Sequence, residues 1–170
     1  MILPFSTIIN GKETFFVEKI SKSVKSILFK NSPPLAFPEE CIYKDFDYVA
    51  YAYVKPKPHT IRQDKNNRWK VGTLIHFYIN ARQKNMFRFA PVLPVVSTQK
   101  IEIIYIPFFE SHSRPWVKID GKLFYDVSET LKPQMLQFAQ NDGFDTIEDF
   151  FNYFDKDYTG KIIHWTDLKY

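Results

Sequence analysis

Residues 57–72 read KPHTIRQDKNNRWKVG, and they gather five cations (Lys57, Arg62, Lys65, Arg68, Lys70), one hydroxyl at Thr60 and one indole at Trp69 around a single acid, Asp64. Pro56 and Pro58 flank Lys57 and fix φ on both sides, so the lysine is presented from a stiff, extended backbone at small entropic cost. Side chains alternate along an extended chain, which puts Lys57 and Thr60 on opposite faces unless the chain turns between them. Beyond Gly72 an apolar run, 73–80, reads as a strand.

The charge around this stretch is segregated. Residues 55–88 carry nine Lys or Arg against Asp64 alone, a local +8 that leaves −4 for the rest of a chain whose total is +4. The acids concentrate in 126–157, where eight Asp or Glu face only Lys132 and Lys156. A basic field of that size attracts phosphates whatever the overall isoelectric point, so RNA or a nucleotide is the expected partner, with a solvated basic loop as the alternative.

Working outward, the pattern is that of an α+β chain with a mostly antiparallel sheet. Residues 2–9 read as a strand, and Phe16, Ile20, Val24, Ile27 and Leu28 recur at helical spacing, predicting a helix over 13–29. Pro33, Pro34 and Pro38 mark an irregular connection, and the aromatic run 42–54 fits either strand or loop. Strands are expected at 73–80, 86–96 and 99–106, and Asp120-Gly121 between two apolar runs is a two-residue hairpin signal. Helices are expected near 129–141, closed by Gly143, and 146–155, opened by Asp145 with Glu148 three residues on; 161–165 reads as a closing strand. With 170 residues and 45% hydrophobic composition, one domain is expected.

Several function classes drop out. A lone cysteine, Cys41, builds no disulfide framework or cysteine-rich zinc site, and His59, His76, His112 and His164 have no short ligand spacing, so structural or surface roles are expected of them and no metal or cofactor. Asp155, Asp157, Thr159 and Gly160 imitate the first half of a calcium loop, but Thr166 stands at the twelfth position where a bidentate Glu is needed, so a plain turn is expected. Ser113 and Ser128 lack a nucleophile-elbow context, and five scattered glycines make no phosphate loop. No apolar run reaches the ~18 residues of a membrane span, and the N-terminal stretch has no signal-peptide pattern. A soluble, cytoplasmic protein is expected.

Lys57-x-x-Thr60-x-Arg62, followed by Arg68-Trp69-Lys70-Val71-Gly72 before a strand, resembles the signature of ASCH domains in the PUA-like superfamily. A second block agrees: Phe138 to Phe144, with Asp142 before Gly143-Phe144, then a short helix and a strand through His164-Trp165, resembles the family's C-terminal part. The resemblance covers about 50–106 and 128–170. It implies a single PUA-like domain over 1–170, a small β-barrel with helices at the rim, elaborated by an N-terminal helical segment (about 10–40) and a hairpin insertion (about 107–127).

The resemblance also implies function. PUA-like domains commonly bind RNA, and some ASCH proteins hydrolyse N4-acetylcytidine with the motif lysine, the threonine and a downstream glutamate, without a metal. Carried over, those residues are Lys57, Thr60 and Asp142, the last one methylene shorter than the glutamate. Lys57 would accompany an anion or activated hydroxyl, Thr60 would attack an acyl carbon, and Asp142 would protonate a leaving amine. Asp142 ends a predicted helix, where the macrodipole raises a carboxylate's pKa; the alternative is a solvated residue ahead of a C-cap glycine. Arg62, Lys65, Arg68, Lys70 and Trp69, the last stacking on a base if exposed, form the candidate nucleic-acid surface. For Arg62 a structural ion pair with Asp64 or a C-terminal acid stays open. Three readings therefore stand: an RNA- or nucleotide-binding ASCH domain, an amidohydrolase acting on an acylated nucleoside, and an interaction or scaffold protein.

Overall fold

The apolar residues after Thr14 recur at helical spacing, and helix α1, Phe16–Lys30, forms there. Phe16, Ile20 and Val24 share one face with Val17 beside them, and all four are buried. The computed structural model describes residues 1–30, 39–41, 43–108 and 112–170; the connection through Pro33, Pro34 and Pro38 lies outside the described residues.

Among the described residues the strands form three sheets. In the first, β1 (Ile2–Phe5) runs parallel to β5 (Leu74–Ile79), which also pairs antiparallel with β6 (Phe87–Arg88) and β7 (Leu93–Pro94). A small ribbon joins β2 (Ile8–Ile9) to β3 (Lys12–Glu13). The largest sheet has five antiparallel strands in the order β10 (Lys122–Tyr125), β9 (His112–Ile119), β8 (Ser97–Phe108), β11 (Tyr158–His164) and β4 (His59–Arg62). The β9–β10 hairpin turns at Asp120 and Gly121 with φ of 49° and 79°, the left-handed pair that the Asp-Gly signal requires.

Two apolar clusters flank the large sheet. Alternation along β11 sends Ile162 to one face, with Ile61, Ile101, Ile103, Val117 and Phe138, and Ile163 to the other, with Phe5, Phe16, Ile20 and Phe77. Helices α3 (Lys132–Asn141) and α4 (Ile147–Tyr153) cover the first face through Met135, Phe138 and Phe150; α1 and the β1–β5 sheet cover the second. Among the described residues strand β4 is an edge, paired with β11 alone.

The α+β class and the mostly antiparallel pairing follow expectation. Among the described residues, however, the strand pairings close no ring, so a barrel is not seen. Within the ambiguous run 42–54, the described residues 43–54 form no strand but hold helix α2, Tyr48–Tyr53, whose first amides are capped by the Asp47 carboxylate accepting from Val49 and Ala50. None of its residues is buried, which is why no periodicity betrays it. The α4 cap is one residue later than the sequence suggests: Thr146 accepts from the Asp149 amide at 3.0 Å. Residues 86–96 form two short strands rather than one. Asp157 is occupied by accepting from the Tyr105 amide at 2.7 Å, in keeping with a turn before β11, and no metal-binding cluster of His, Cys, Asp or Glu occurs among the described residues. Nor is any described helix long and apolar enough to cross a membrane.

Gly160 lets β11 approach β4 closely: a Cβ there would stand 2.7 Å from the Arg62 carbonyl oxygen and 2.6 Å from the Tyr158 ring. Gly160→Ala is therefore expected to lower the unfolding free energy by ~1–3 kcal/mol through overpacking, read as a lower urea midpoint. An unchanged midpoint would mean the two strands have slack that this packing denies.

Candidate functional site

The stiff Pro56-Lys57-Pro58 segment is clamped by α1. The Lys57 amide donates to the Lys19 carbonyl at 3.0 Å, and the Lys57 carbonyl accepts from Ser23 Oγ at 2.9 Å, a hydroxyl that also accepts from Trp165 Nε1 at 3.1 Å. Residues 19 and 23 are one helical turn apart, so a single face of α1 fixes both ends of the Lys57 peptide unit. The lysine stem then runs inward, with its ammonium 4.9 Å from the centre of the Phe16 ring.

Its destination is the turn between α3 and α4. Lys57 Nζ donates to Asp142 Oδ1 at 2.7 Å and also to the Asp142 carbonyl. The side chains are 1% and 5% exposed. Asp142 Oδ1 accepts as well from the Ile61 amide at 3.1 Å, filling a position on the open edge of β4 where a further strand would bond. Gly143, at φ 94°, makes the approach possible: a Cβ would lie 2.6 Å from the Phe16 ring and 3.1 Å from Lys57 Cδ.

Removal from water dominates the electrostatics. Burial pushes Lys57 down to about 8 although the Asp142 carboxylate pulls it up. Burial likewise pushes Asp142 above the ordinary carboxylate range against the opposing pull of Lys57. Both shifts favour the neutral forms, because removal from water penalises the charge on either partner. A dry, closely spaced acid and base of this kind suits proton transfer to and from a reacting group.

A second network adjoins the pair. His59, fully buried on the Ile61 face of β4, places Nδ1 3.7 Å from Asp142 Oδ1 and Nε2 2.7 Å from the Tyr170 hydroxyl. Asn141 Nδ2 donates to the same hydroxyl at 2.8 Å. The direction of the His59–Tyr170 bond is set by the imidazole tautomer, and His59 Nδ1, facing Asp142, is buried without a hydrogen bond. His164, opposite His59 in the β4–β11 register, is buried with neither ring nitrogen hydrogen-bonded, and Ser97 Oγ is buried and unbonded too. Burial holds His59 well below the usual imidazole range and His164 near 4, so both are neutral at physiological pH.

The sequence-derived residues separate into two groups. Lys57 and Asp142 meet. Thr60 is buried on β4, on the face opposite His59 and Ile61, and among the described residues no hydrogen bond joins it to either member of the pair. A solvated Asp142 is ruled out by its 4% exposure. Arg62 forms no ion pair with Asp64: its Nη2 donates to the Pro4 carbonyl at 2.8 Å and its guanidinium lies 5.1 Å from the centre of the Phe5 ring. Asp64 instead accepts from the Arg68 and Trp69 amides at 2.8 and 2.9 Å and pairs with Lys161 at 3.0 Å, which folds the 63–73 loop inward.

That fold buries Trp69, 6% exposed within the apolar cluster, so it offers no stacking face and belongs to the core. Nor do the cations form one patch. Lys57 is internal, Arg88 pairs with Glu40 at 3.1 Å, and Lys55 bonds Gln140 at 2.7 Å. Lys65, Arg68 and Lys70 are exposed on the loop before β5, whereas Arg82 and Lys84 are exposed on the turn after it. The strand between separates the two groups by roughly 17 Å at about 3.3 Å per residue.

Sequence reasoning missed His59, Asn141 and Tyr170. The signals available were His59 between motif residues Lys57 and Thr60, and Asn141 directly before Asp142. Compared with protein-family models, curated proteins and solved structures, the chain matches none.

Asp142→Asn leaves Lys57 buried without a counter-charge and should cost ~3–5 kcal/mol. Lys57→Met added to it should recover much of the loss, giving a coupling of ~0.5–3 kcal/mol in a double-mutant cycle; strictly additive losses would show that the two groups do not sense each other. The pair also sets a pH dependence. Between about 8 and 10.5 an unfolded Lys57 holds a proton that the folded chain has released, so this contribution to stability is complete above 10.5 and fades as pH falls through about 8. Asp142 acts in the opposite sense: its contribution is complete below 3.8 and is lost as pH rises through its raised folded value. Urea unfolding from about pH 7 to about pH 10 should therefore show wild type gaining on the Lys57→Met/Asp142→Asn double variant; a constant difference would contradict the depressed lysine.

Proposed function

We propose that the chain is an ASCH-like amidohydrolase acting on an N-acylated nucleoside-type amide, with Lys57 and Asp142 as its proton-transfer pair. One observation carries this reading: the two motif residues, far apart in sequence, form a dry contact of 2.7 Å in which burial pushes amine and acid toward their neutral forms. The free-amine form of Lys57, which grows as pH approaches about 8, supplies the base, and the protonated form of Asp142, which burial favours, supplies the acid. Lys57 Nζ takes a proton from water as the water oxygen bonds to the acyl carbon. The C–N bond breaks as the Asp142 carboxyl gives its proton to the leaving nitrogen. The lysine proton then returns across the contact to Asp142, leaving a carboxylic acid, an amine and an unchanged enzyme. Water serves as the nucleophile because, among the described residues, no hydrogen bond joins the buried Thr60 to either member of the pair.

A second reading, RNA binding, keeps one specific support: Lys65, Arg68 and Lys70 are exposed together on the 63–73 loop. Without Trp69 as a platform it rests on phosphate contacts alone, and its signature is salt dependence.

Purified protein is expected to convert N4-acetylcytidine to cytidine equally well with and without a chelator. Lys57→Met and Asp142→Asn should each abolish turnover in samples whose melts show a folded protein, and Asp142→Glu should retain part of it, since the acid survives and only its reach changes. Folded wild type and Asp142→Glu that both leave the substrate intact would reject this substrate. For the second reading, Arg68→Ala and Lys70→Ala should weaken single-stranded RNA binding and each flatten the salt slope by about 1. Affinities that match wild type at every salt concentration would remove the loop from consideration.

A further inference from the structure

His59, whose Nδ1 lies 3.7 Å from Asp142 Oδ1, is met on its other side by one side chain from the segment after β11. Thr166–Tyr170 returns along the sheet so that the Tyr170 phenol sits among rings. The centroid of Phe138 is 4.8 Å away, those of His59 and Phe124 are 5.4 and 5.6 Å away, and that of His164 is 6.0 Å away. Three of these four contacts are edge-to-face, at 74° to 90°. The hydroxyl meets both Asn141 Nδ2 and His59 Nε2. The main chain is held separately: the Tyr170 amide donates to Gln99 Oε1 at 2.9 Å, and Gln99 Nε2 donates to the Tyr170 carbonyl at 2.7 Å.

Such a socket has more polar capacity than a tyrosine uses. A phenol offers one hydrogen-bonding substituent, yet the walls hold a fully buried imidazole, His164, with both nitrogens unbonded, and Ser97, opposite His164 in the β8–β11 register, is a second buried polar group with no partner. Buried polar groups are ordinarily satisfied, and each exception calls for an explanation. Ring-lined walls with convergent donors and acceptors fit a flat, polar six-membered ring better than they fit a phenol. The occupant is also one hydrogen bond from His59, which in turn faces Asp142.

We propose that the Tyr170 phenol is the internal occupant of a socket for a planar six-membered ring bearing a hydroxyl or oxo group, and that Thr166–Tyr170 is a displaceable strap gating access to Asp142. This rests on the proposed function only for the use of the socket, not for its existence. Among the described residues, the hydrogen bonds that join Thr166–Tyr170 to the rest of the protein run through the Gln99 side chain and the phenol, and the β11 pairings lie outside this segment.

The test is chemical rescue by p-cresol, the side-chain mimic, in the full-length Tyr170→Ala variant. p-Cresol should raise the melting temperature of the variant in a saturable way and leave wild type nearly unmoved at the same concentration, and toluene, which lacks the hydroxyl, should raise it less. Absence of a shift with p-cresol, or an equal shift with toluene, overturns the socket as a polar-ring site. Should Tyr170→Ala fail to fold, wild type decides: p-cresol raised to its solubility limit should accelerate hydrogen exchange of the Tyr170 amide, whose partner is Gln99, without accelerating amides of β8. Unaltered exchange overturns the strap. The readouts involve no turnover, so rescue by p-cresol in a protein that leaves N4-acetylcytidine intact rejects the hydrolase reading and keeps the socket, whereas turnover without rescue does the reverse.

Discussion

A buried charge is tolerated only when it is paired, and the contact between Lys57 and Asp142 is where this chain meets that constraint. Its two sides are set by different elements. Prolines and α1 hold the lysine backbone, and the end of α3 holds the acid, with Gly143 leaving room for both Lys57 and Phe16. The same carboxylate oxygen accepts from Ile61 on the outer edge of β4, so one atom joins a helix end, a strand edge and the α1 clamp. Moving any of the three would leave a lysine or a carboxylate alone in apolar surroundings. The pair therefore fixes relative position more than it adds stability, because burial itself opposes the ionised form of each partner.

Local chemistry was legible in the sequence wherever one short stretch decides the outcome. Asp120-Gly121 specifies its turn, the α1 apolar spacing specifies its buried face, and Gly143 marks the end of α3. Helix α2 was not legible because its apolar residues face solvent: Tyr48, Val49 and Tyr53 are 73%, 73% and 85% exposed, so burial imposes no period on it. The basic segment misled for a related reason. Nine cations contiguous in sequence look like one field, but β5 carries its two exposed groups to opposite ends, and Lys57 leaves the surface altogether.

At the candidate site, the family resemblance singled out Lys57 and Asp142, which the fold brings into contact, and the direction of the Asp142 shift was foreseen from the wrong cause. A helix C-terminus contributes ~0.3–1 kcal/mol, whereas desolvation of a fully buried carboxyl is the larger effect and depends on packing that no sequence window displays. Trp69 shows the reverse error. Its neighbours Arg68 and Lys70 suggested a surface, yet Asp64 accepts from two amides of that loop and turns the indole inward between two exposed cations. His59 and Tyr170 escaped notice because their contact spans 111 positions and follows no motif spacing.

Dryness links the chemistry to the strap. Lys57 is held down and Asp142 held up by the same exclusion of water, so an opening that merely admits solvent returns both toward ordinary values and removes the property that makes them useful. Whatever displaces Tyr170 must therefore replace it as filler. A flat ring with a polar edge does so: it restores the contacts of Phe124 and Phe138, keeps water from His59 and Asp142, and gives the unbonded nitrogens of His164 a partner that tyrosine lacks. An aliphatic ligand of the same volume keeps the socket dry but leaves His59 Nε2 and Asn141 without the hydroxyl they now share, a loss of about 1–3 kcal/mol for each buried group left unpaired. Selectivity for a polar ring and preservation of the shifted pair thus arise from one requirement, that the space beside His59 is never left to bulk water, while the single attacking water of the proposed reaction is held at Lys57.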